Sequence, residues 1–206
     1  MPPTHRRPSD DELLDGARDV FAECGYQAAS MAEIARRAST TKPTLYAHFG
    51  SKEAMYSLVF QREAEAVQNH LFAVYENLPG GDIDAWVKTA LDAGMSYVAD
   101  NPSSFRILAG TSEAGNPAAA SMRLMLDRFI DRIAQIVDDA VRRRGAEPAL
   151  PTRTVAAMAV GSGLEAARQG ILVDGLSPAH AAELATAYIA GGIAAIETRL
   201  LTKSRP

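Results

Sequence analysis

The chain has 206 residues, a formal net charge of −4, and a composition that is 47% hydrophobic and 6% aromatic, with a single cysteine. That length allows one or two domains with a sizeable core, while the acidic balance excludes a general nucleic-acid coat protein. One cysteine excludes an internal disulfide and a cysteine metal cluster, which fits a reducing cytoplasm, and no apolar run is long enough for a transmembrane helix.

The first predicted helix begins at Ser9, where a capping-box pattern starts, and its apolar residues recur at helical spacing. Gly25 is typical of the residue that ends a helix. We expect Cys24 to lie in the core, as free cysteines usually do. Arg6 and Arg7 precede this helix in a proline-rich segment. They belong either to a solvated tail or to a basic arm that reaches a neighbouring minor groove.

Two short helices joined by a tight turn are predicted next. Ser30 is a good N-cap and has a glutamate three residues later, the spacing of a capping box. Thr41 is placed to cap the second helix, and Pro43 falls in its first turn, where a missing N–H costs nothing. Leu45 and Phe49 are four residues apart, so we expect both to dock this helix on the core. The pattern predicts a second helix that enters the DNA major groove.

The outward residues of this segment suit DNA better than they suit a plain structural helix. Residues 30–52 carry a net charge of +3 on a chain of −4, which fits a small footprint of neutralised phosphates. Short donors and methyl groups suit base edges, whereas cations and hydroxyls suit phosphates. The expected base contacts are Thr41, Lys42, Pro43 and Thr44. The expected phosphate contacts are Ser30, Tyr46, His48 and Lys52. Thr40, in the turn, completes the DNA-binding set.

The run T-L-Y-x-H-F-x-S-K-E, which starts at Thr44, resembles the signature of the TetR family of bacterial transcriptional regulators. The resemblance covers about residues 9–58 and implies a dimer that pairs through its last two long helices. Ser39 departs from the pattern, because the family usually has glycine in the turn. Either Ser39 takes a positive φ, at a cost of about 1 kcal/mol, or the turn differs slightly in shape.

Helices are predicted through the rest of the chain. Ser51 caps a long fourth helix that reaches about residue 77, and we interpret this helix as the mechanical link to the C-terminal part. Five later helices are predicted. They lie over 82–100, over a short stretch that begins at 101, over a long stretch that ends at about 144, over 152–173 and over 177–203. The predicted fold is all-α with about nine helices. Residues 1–50 are the predicted helix-turn-helix DNA-binding domain, and residues 51–206 the predicted helical regulatory and dimerisation domain.

Glycines recur inside the last two predicted helices, where each costs about 1 kcal/mol relative to alanine. Either these helices meet a second copy of the chain in a four-helix interface, or the glycines serve packing within one chain. The glycines are Gly161, Gly163, Gly170, Gly191 and Gly192. Between them, Glu165 and Arg168 either form a plain ion pair or line a pocket or the dimer seam.

The sequence contains no recognisable catalytic or metal-binding constellation. The G-x-S-x-G, Walker A and H-E-x-x-H motifs are absent, and the histidines lack metal-ligand spacing, so we expect no cofactor and no metal. The G-x-G-x-x-A run at Gly161 lacks a βαβ unit, which argues against dinucleotide binding. Apolar and pliable side chains form either an effector pocket or ordinary core. The candidate pocket residues are Trp86, Met95, Phe105, Met122, Met125, Phe129 and Met158.

These observations favour a DNA-binding transcriptional regulator and not an enzyme. We expect a cytoplasmic homodimer that represses by binding a near-palindromic operator with two recognition helices. A small apolar or neutral molecule is expected to release the dimer from the operator by tilting the fourth helix. The alternatives are an enzyme in the C-terminal helices with the DNA-binding part as an accessory, and a helical protein whose partners are other proteins.

Overall fold

A computed structural model of the chain describes residues 8–78, 83–112, 115–143 and 151–201. Within these ranges the prediction of an all-α fold is confirmed, since there are nine α-helices and no strand. The helices are α1 (Asp10–Ala28), α2 (Met31–Arg37), α3 (Lys42–Phe49), α4 (Lys52–Glu76), α5 (Ile83–Asp100), α6 (Pro102–Ala109), α7 (Ala119–Arg143), α8 (Thr152–Ala166) and α9 (Pro178–Leu201). The positions outside the description include Arg6, Arg7, the predicted break at 79–82, residues 144–150 and residues 202–203.

The first helix starts as predicted and ends later than predicted. Ser9 accepts the backbone N–H of Glu12 at 3.3 Å, while its own N–H donates to the Glu12 carboxylate at 2.8 Å. Gly25 breaks the helical path with φ 77° and ψ 167°, and one more turn follows it to Ala28. Cys24 is exposed, so the prediction that it lies in the core is wrong. The buried stripe of this part of α1 ends at Phe21, and the break at Gly25 leaves the thiol on the solvent side.

The last two helices also differ from the predicted pattern. The predicted helix over 152–173 is α-helical to Ala166 and continues as a π-helical segment over Ala167–Val173. Ser177, at the start of the predicted helix over 177–203, caps α9 by accepting the His180 N–H at 3.3 Å. Arg168 donates to Glu165 at 2.9 Å, so these two residues form the ion pair that their spacing suggested.

The glycines of this region fall into two groups. A Cβ on Gly163 would lie 3.3 Å from Leu91, and one on Gly170 would lie 3.4 Å from Leu176, so these two serve packing within the chain. Gly161, Gly191 and Gly192 have no such neighbour within 4 Å. Packing within the chain therefore explains Gly163 and Gly170, while the dimer interface stays a prediction for Gly161, Gly191 and Gly192.

The described chain divides into two compact units that do not follow the predicted boundary after residue 50. One unit lies within Met1–Ala66 and Asn101–Met122, and the other within Val67–Asp100 and Arg123–Pro206. The start of α4 belongs to the first unit because Lys52 and Tyr56 contact Tyr26 of α1, and α6 also packs against α1. The domain bounds 1–50 and 51–206 stay a prediction. The division falls inside α4 and inside α7, so each of these helices contributes residues to both units.

The first unit has a core built from the apolar stripes of α1 to α4 and α6. Leu13, Ile34 and Leu45 are each fully buried, and burial of such side chains stabilises a fold by about 1.5–3 kcal/mol each. Asn116 is also buried and donates to Tyr56 Oη at 3.0 Å, while its Oδ1 accepts the Ala118 N–H. These bonds satisfy the polar groups where the chain leaves α6 for α7.

The second unit contains an α5–α9 pair lined by alanine. Ala181, Ala182 and Ala185 are buried on α9, which allows its backbone to approach α5 closely. Arg153 on α8 forms ion pairs with Asp127 and Asp131 on α7, at 2.8 Å each. None of the helices in the described ranges combines the length and the apolar character needed to cross a bilayer.

Replacing Gly16 with alanine tests the close contact between α1 and Ala38. The new Cβ would lie 2.9 Å from Ala38 Cβ and 3.2 Å from Ala38 N and Cα, so backbone would have to move. We expect a loss of about 1–3 kcal/mol in the free energy of unfolding, measured by urea denaturation. The control is Gly110→Ala, because Gly110 has φ −69° and no neighbouring atom within 4 Å of where the new methyl carbon would lie. Equal stability of the two variants would show that the contact is not constraining.

Candidate nucleic-acid interface

Helix α3 is short, well capped at both ends and docked by two residues. Thr41 accepts the Thr44 N–H at 3.3 Å, and their hydroxyl oxygens lie 2.9 Å apart. Gly50 ends the helix with φ 76°. Leu45 is fully buried and Phe49 is 9% exposed. These contacts fix the orientation of α3 and confirm the docking role that the spacing of the two apolar residues predicted.

The opposite surface of α3 is open to solvent. Lys42 and Pro43 are exposed at its start, and the ring of Tyr46 is 49% exposed further along. Thr44 is half-buried beside them. A helix N-terminus offers backbone N–H groups and a positive dipole end to anions. The predicted base-contacting residues are thus brought together on one accessible end of one helix.

The turn that leads into α3 contains a serine with a positive φ, which is the first of the two alternatives for this position. Ser39 has φ 50°, a region that favours glycine. At the start of α2, Ser30 accepts the Glu33 N–H at 3.2 Å. The Glu33 carboxylate binds Arg36, with an Nε–Oε2 distance of 2.9 Å, and does not return to Ser30. The predicted capping box is therefore only half formed, because an arginine one turn later competes for the glutamate.

Most cations of the segment 30–52 are already paired within the protein. Arg36 binds Glu33, and Arg37 reaches the carboxylate of Glu23 at 2.7 and 2.8 Å. The hydrogen bond to Glu23 is the main reason why the pKa of Arg37 is raised. In this fully described segment, Lys42 is the one basic side chain without an intramolecular partner. The net charge of +3 therefore overstates the unpaired positive charge that this segment would present to DNA.

His48 and Lys52, two predicted phosphate contacts, both have partners inside the protein. His48 Nδ1 lies 2.6 Å from Asp10 Oδ1, which ties the end of α3 to the first turn of α1. The Lys52 ammonium donates to the carbonyl oxygens of Tyr26 at 2.9 Å, Gln27 at 3.3 Å and Ala29 at 3.0 Å. All three donors of the ammonium are thus engaged. The predicted contact of Lys52 with a phosphate would require the ammonium to leave these carbonyls.

Sequence reasoning did not single out Tyr26 and Glu53, which complete this contact. The Tyr26 hydroxyl donates to Glu53 at 2.9 Å, and Lys52 Nζ lies 4.5 Å above the centre of the Tyr26 ring. Burial raises the pKa of Tyr26 to about 12, and the hydrogen bond to Glu53 acts in the same direction. The pKa of Glu53 is lowered, first by its own backbone N–H and then by Tyr26. A charged glutamate and a neutral tyrosine therefore coexist at neutral pH.

The seven candidate pocket residues do not belong to one compact unit. Phe105 and Met122 are buried in the first unit, whereas the other five are in the second. Met158 is 59% exposed in the protomer. Trp86 is half-buried. The effector pocket formed by these residues stays a prediction.

Three pocket candidates stay buried together in the second unit. Met95, Met125 and Phe129 are 2%, 8% and 6% exposed. The Phe129 ring meets Phe72 edge to face at a centroid distance of 5.2 Å and Tyr75 at 6.5 Å. Burial raises the pKa of Tyr75 to about 12, so its phenol is a desolvated polar group in an apolar setting.

A cleft of about 210 Å³ lies in the first unit. Ligand pockets are commonly about 300–1,000 Å³, so this one is small. It is lined by Phe21, Ala22, Gly25, Tyr26, Tyr56, Arg106, Ile107 and Gly110.

Comparison with known proteins agrees with this geometry. Residues 13–59 match the family model described as bacterial regulatory proteins, tetR family. The HTH-type transcriptional activator FasR of Mycolicibacterium smegmatis is 30% identical over 138 residues, which cover 65% of this chain and 62% of that relative. The chain spans less than two thirds of the length of the curated relatives it matches first.

Two solved structures show the same fold over most of the chain. A TetR-like transcriptional regulator from Rhodococcus sp. RHA1 has a TM-score of 0.74 at 24% identity, covering 92% of this chain and 99% of its own. The regulator FadR from Bacillus subtilis, solved in complex with stearoyl-CoA, has a TM-score of 0.72 at 15% identity, covering 88% and 97%. FasR and both of these proteins are named as transcriptional regulators, and none of the three is named as an enzyme.

Replacing Ser39 with glycine removes the strain in the turn. Because a non-glycine residue at φ 50° costs about 1 kcal/mol or more, we expect Ser39→Gly to raise the free energy of unfolding by about 0.5–1 kcal/mol. The measurement is urea denaturation followed by circular dichroism. Ser39→Ala is the control, since alanine meets the same steric penalty. A glycine variant no more stable than the alanine variant would contradict the strain.

Proposed function

The chain belongs to the TetR family of bacterial transcriptional regulators, and on that premise we propose that it binds a specific DNA operator through α3. The observation that carries this proposal is the exposed start of α3, held rigidly by the buried Leu45 on its other side. An unpaired Lys42 and the half-buried Thr44 stand where base edges would lie. The helix N-terminus faces the same way and favours a nearby phosphate.

The proposed contact set follows from what each side chain is free to do. Lys42, Pro43 and Thr44 read base edges, and the Lys42 ammonium also neutralises an adjacent phosphate, while Thr41 mainly caps the helix. Tyr46, Ser30 and Thr40 contact the phosphate backbone. His48 orients α3 through Asp10 and reaches the backbone with the rest of its ring. With few unpaired cations, affinity depends more on fit than on charge.

We propose that the active form is a homodimer built from α8 and α9. Leu184 and Tyr188 are 54% and 74% exposed on α9, and Gly191 and Gly192 follow one turn later with open space around them. On α8, the exposed Met158 lies one turn before the open Gly161. Apolar residues interleaved with small ones suit close packing against a second helix pair. A twofold axis would place two α3 helices about 34 Å apart, in successive major grooves.

We propose that the effector is an apolar molecule bound in the second unit. The aromatic cluster of the half-buried Phe72 and Tyr75 with the buried Phe129 supports an apolar site with one polar group. The structural neighbour FadR was solved with stearoyl-CoA, a ligand with a long apolar chain. Since α4 carries residues of both units, a ligand that shifts its second half would disturb the spacing of the recognition helices. A coupling of about 1–3 kcal/mol corresponds to roughly 5–150-fold release.

We further propose repression in the cytoplasm as the mode of action. A dimer bound over a promoter blocks polymerase without any further contact, whereas the relative FasR is named an activator. A reporter gene with the operator placed over or upstream of its promoter distinguishes repression from activation.

The DNA-binding proposal is tested by selecting bound sites from a random duplex library at stated salt. We expect an inverted repeat whose half-site centres lie about 10–10.5 base pairs apart, or a multiple of that spacing. Lys42→Met should then weaken binding and make the slope of log K against log salt shallower by about 0.9. Lys88→Met is the control, because Lys88 pairs with Asp92 in the second unit. Absence of any enriched site, with and without acyl-CoA present, would contradict the proposal.

The dimer is tested by placing a charge on the exposed stripe of α9. Tyr188→Arg should weaken dimerisation by about 30-fold or more, since loss of an interface hot spot costs about 2 kcal/mol or more. Sedimentation velocity over a concentration series measures the change. Leu124→Arg is the matched control, because Leu124 is 63% exposed on α7 and lies off the proposed interface. An unchanged dimer in the Tyr188 variant would place the interface elsewhere.

A further inference from the structure

The ammonium of Lys52 sits where three backbone carbonyls converge. The carbonyls of Tyr26, Gln27 and Ala29 lie 2.9, 3.3 and 3.0 Å from Nζ. Carbonyls at the end of a helix have no intrahelical partner, and a cation there also meets the negative end of the helix dipole. An ammonium has three donors and no acceptor, so this site matches its full hydrogen-bonding capacity.

The break at Gly25 creates this arrangement. With φ 77° at Gly25, the chain changes direction before its last turn, and the Ala29 N–H returns to the Gly25 carbonyl at 3.2 Å. The carbonyls beyond the break are thereby turned to one side of α1. A residue with a Cβ would be strained at this φ. The lysine therefore completes a feature that the backbone of α1 has already formed.

The next residue of α4 holds the same tyrosine from its other end. Glu53 accepts the Tyr26 hydroxyl at 2.9 Å, while Lys52 lies over the ring at 4.5 Å. The ring itself packs at 5.0 Å from Tyr56 and 6.4 Å from Phe21. Two adjacent residues of α4 thus grip the carbonyls, the ring and the hydroxyl at the end of α1. We call this set, formed by Tyr26, Lys52 and Glu53, the α1–α4 clamp.

We propose that Lys52 is a positioning residue for DNA recognition, which acts through the clamp and does not bind phosphate. The inference rests on the proposed function of α3 and adds how the start of α4 supports it. The clamp fixes α4 against the stretch of chain that leads from α1 into α2 and α3. To reach a phosphate, the ammonium would have to give up three hydrogen bonds and its place over the ring. Its charge should therefore contribute to the geometry of the domain and not to the count of neutralised phosphates.

The test compares Lys52→Met with Lys42→Met, using the full-length chain and the selected operator. Lys52→Met should weaken operator binding by about tenfold, equivalent to about 1.4 kcal/mol. Its binding to a non-operator duplex and its salt slope should match the wild type, because both report phosphate contacts. Lys42→Met should instead weaken both duplexes and make the slope shallower by about 0.9. Lys52→Arg, which keeps several donors, should restore most of the operator affinity.

Two results would overturn the proposal. A Lys52→Met slope that is shallower by about one unit would show that the ammonium leaves the clamp for a phosphate. Wild-type operator affinity in Lys52→Met, measured well below its melting temperature, would show that the clamp affects stability alone. All binding measurements are made at a temperature where circular dichroism shows each variant to be folded.

A second measurement separates this inference from the proposed function. In a side-chain ¹H–¹⁵N spectrum of the free protein, the Lys52 ammonium should exchange slowly with water, and its signal is assigned by its loss in Lys52→Met. The Lys42 ammonium, which is exposed and unpaired, should exchange too fast to be seen. Addition of operator should leave the Lys52 signal in place. If the wild type selects no operator, the proposed function fails, while slow or fast exchange of Lys52 still supports or overturns the clamp.

Discussion

The first unit is organised by the close approach of α1 to the turn between α2 and α3. Gly16 allows the Ala38 backbone to come within a distance that no side chain would tolerate. That approach brings the apolar stripes of three helices into one core, with Leu13, Ile34 and Leu45 fully buried. Because protein interiors are packed at crystal-like density, such a contact specifies an angle as well as stability. The orientation of α3, and hence what it presents to solvent, depends on this contact.

Polar groups around this core are used to hold helices in place. Asp10 meets His48, Glu23 meets Arg37, and Lys52 meets the end of α1. Exposed ion pairs of this kind contribute little stability individually, with a median of about 0–1 kcal/mol. They do, however, fix relative positions and neutralise charges near the proposed interface. An acidic chain whose local cations are mostly paired would discriminate between DNA sequences by shape and base contacts more than by overall attraction.

The second unit shows a different use of small residues. Alanines on one side of α9 are buried towards α5, whereas Gly191 and Gly192, further along the helix, have open space around them. One helix therefore combines packing within the protomer with a surface of exposed apolar side chains. The aromatic cluster around Phe129 lies in the same unit. The proposed dimer surface and the apolar cluster thus belong to one unit, and α4 contributes residues both to this unit and to the one that contains α3.

The sequence by itself determined the local features of the chain. The caps at Ser9 and Thr41 and the break at Gly25 follow from the chemistry of neighbouring residues, which acts within one helical turn. The all-α fold and the family resemblance follow from the same local patterns.

Only the tertiary structure decided which side chains are available. Lys52 and Lys42 look alike in the sequence, yet one is bound by carbonyls twenty-three to twenty-six residues away and the other has no partner. Met158 looks like core and is exposed, and the predicted boundary after residue 50 runs through a packed unit. Partners distant along the chain are set by how helices pack, and helical periodicity carries no information about that packing.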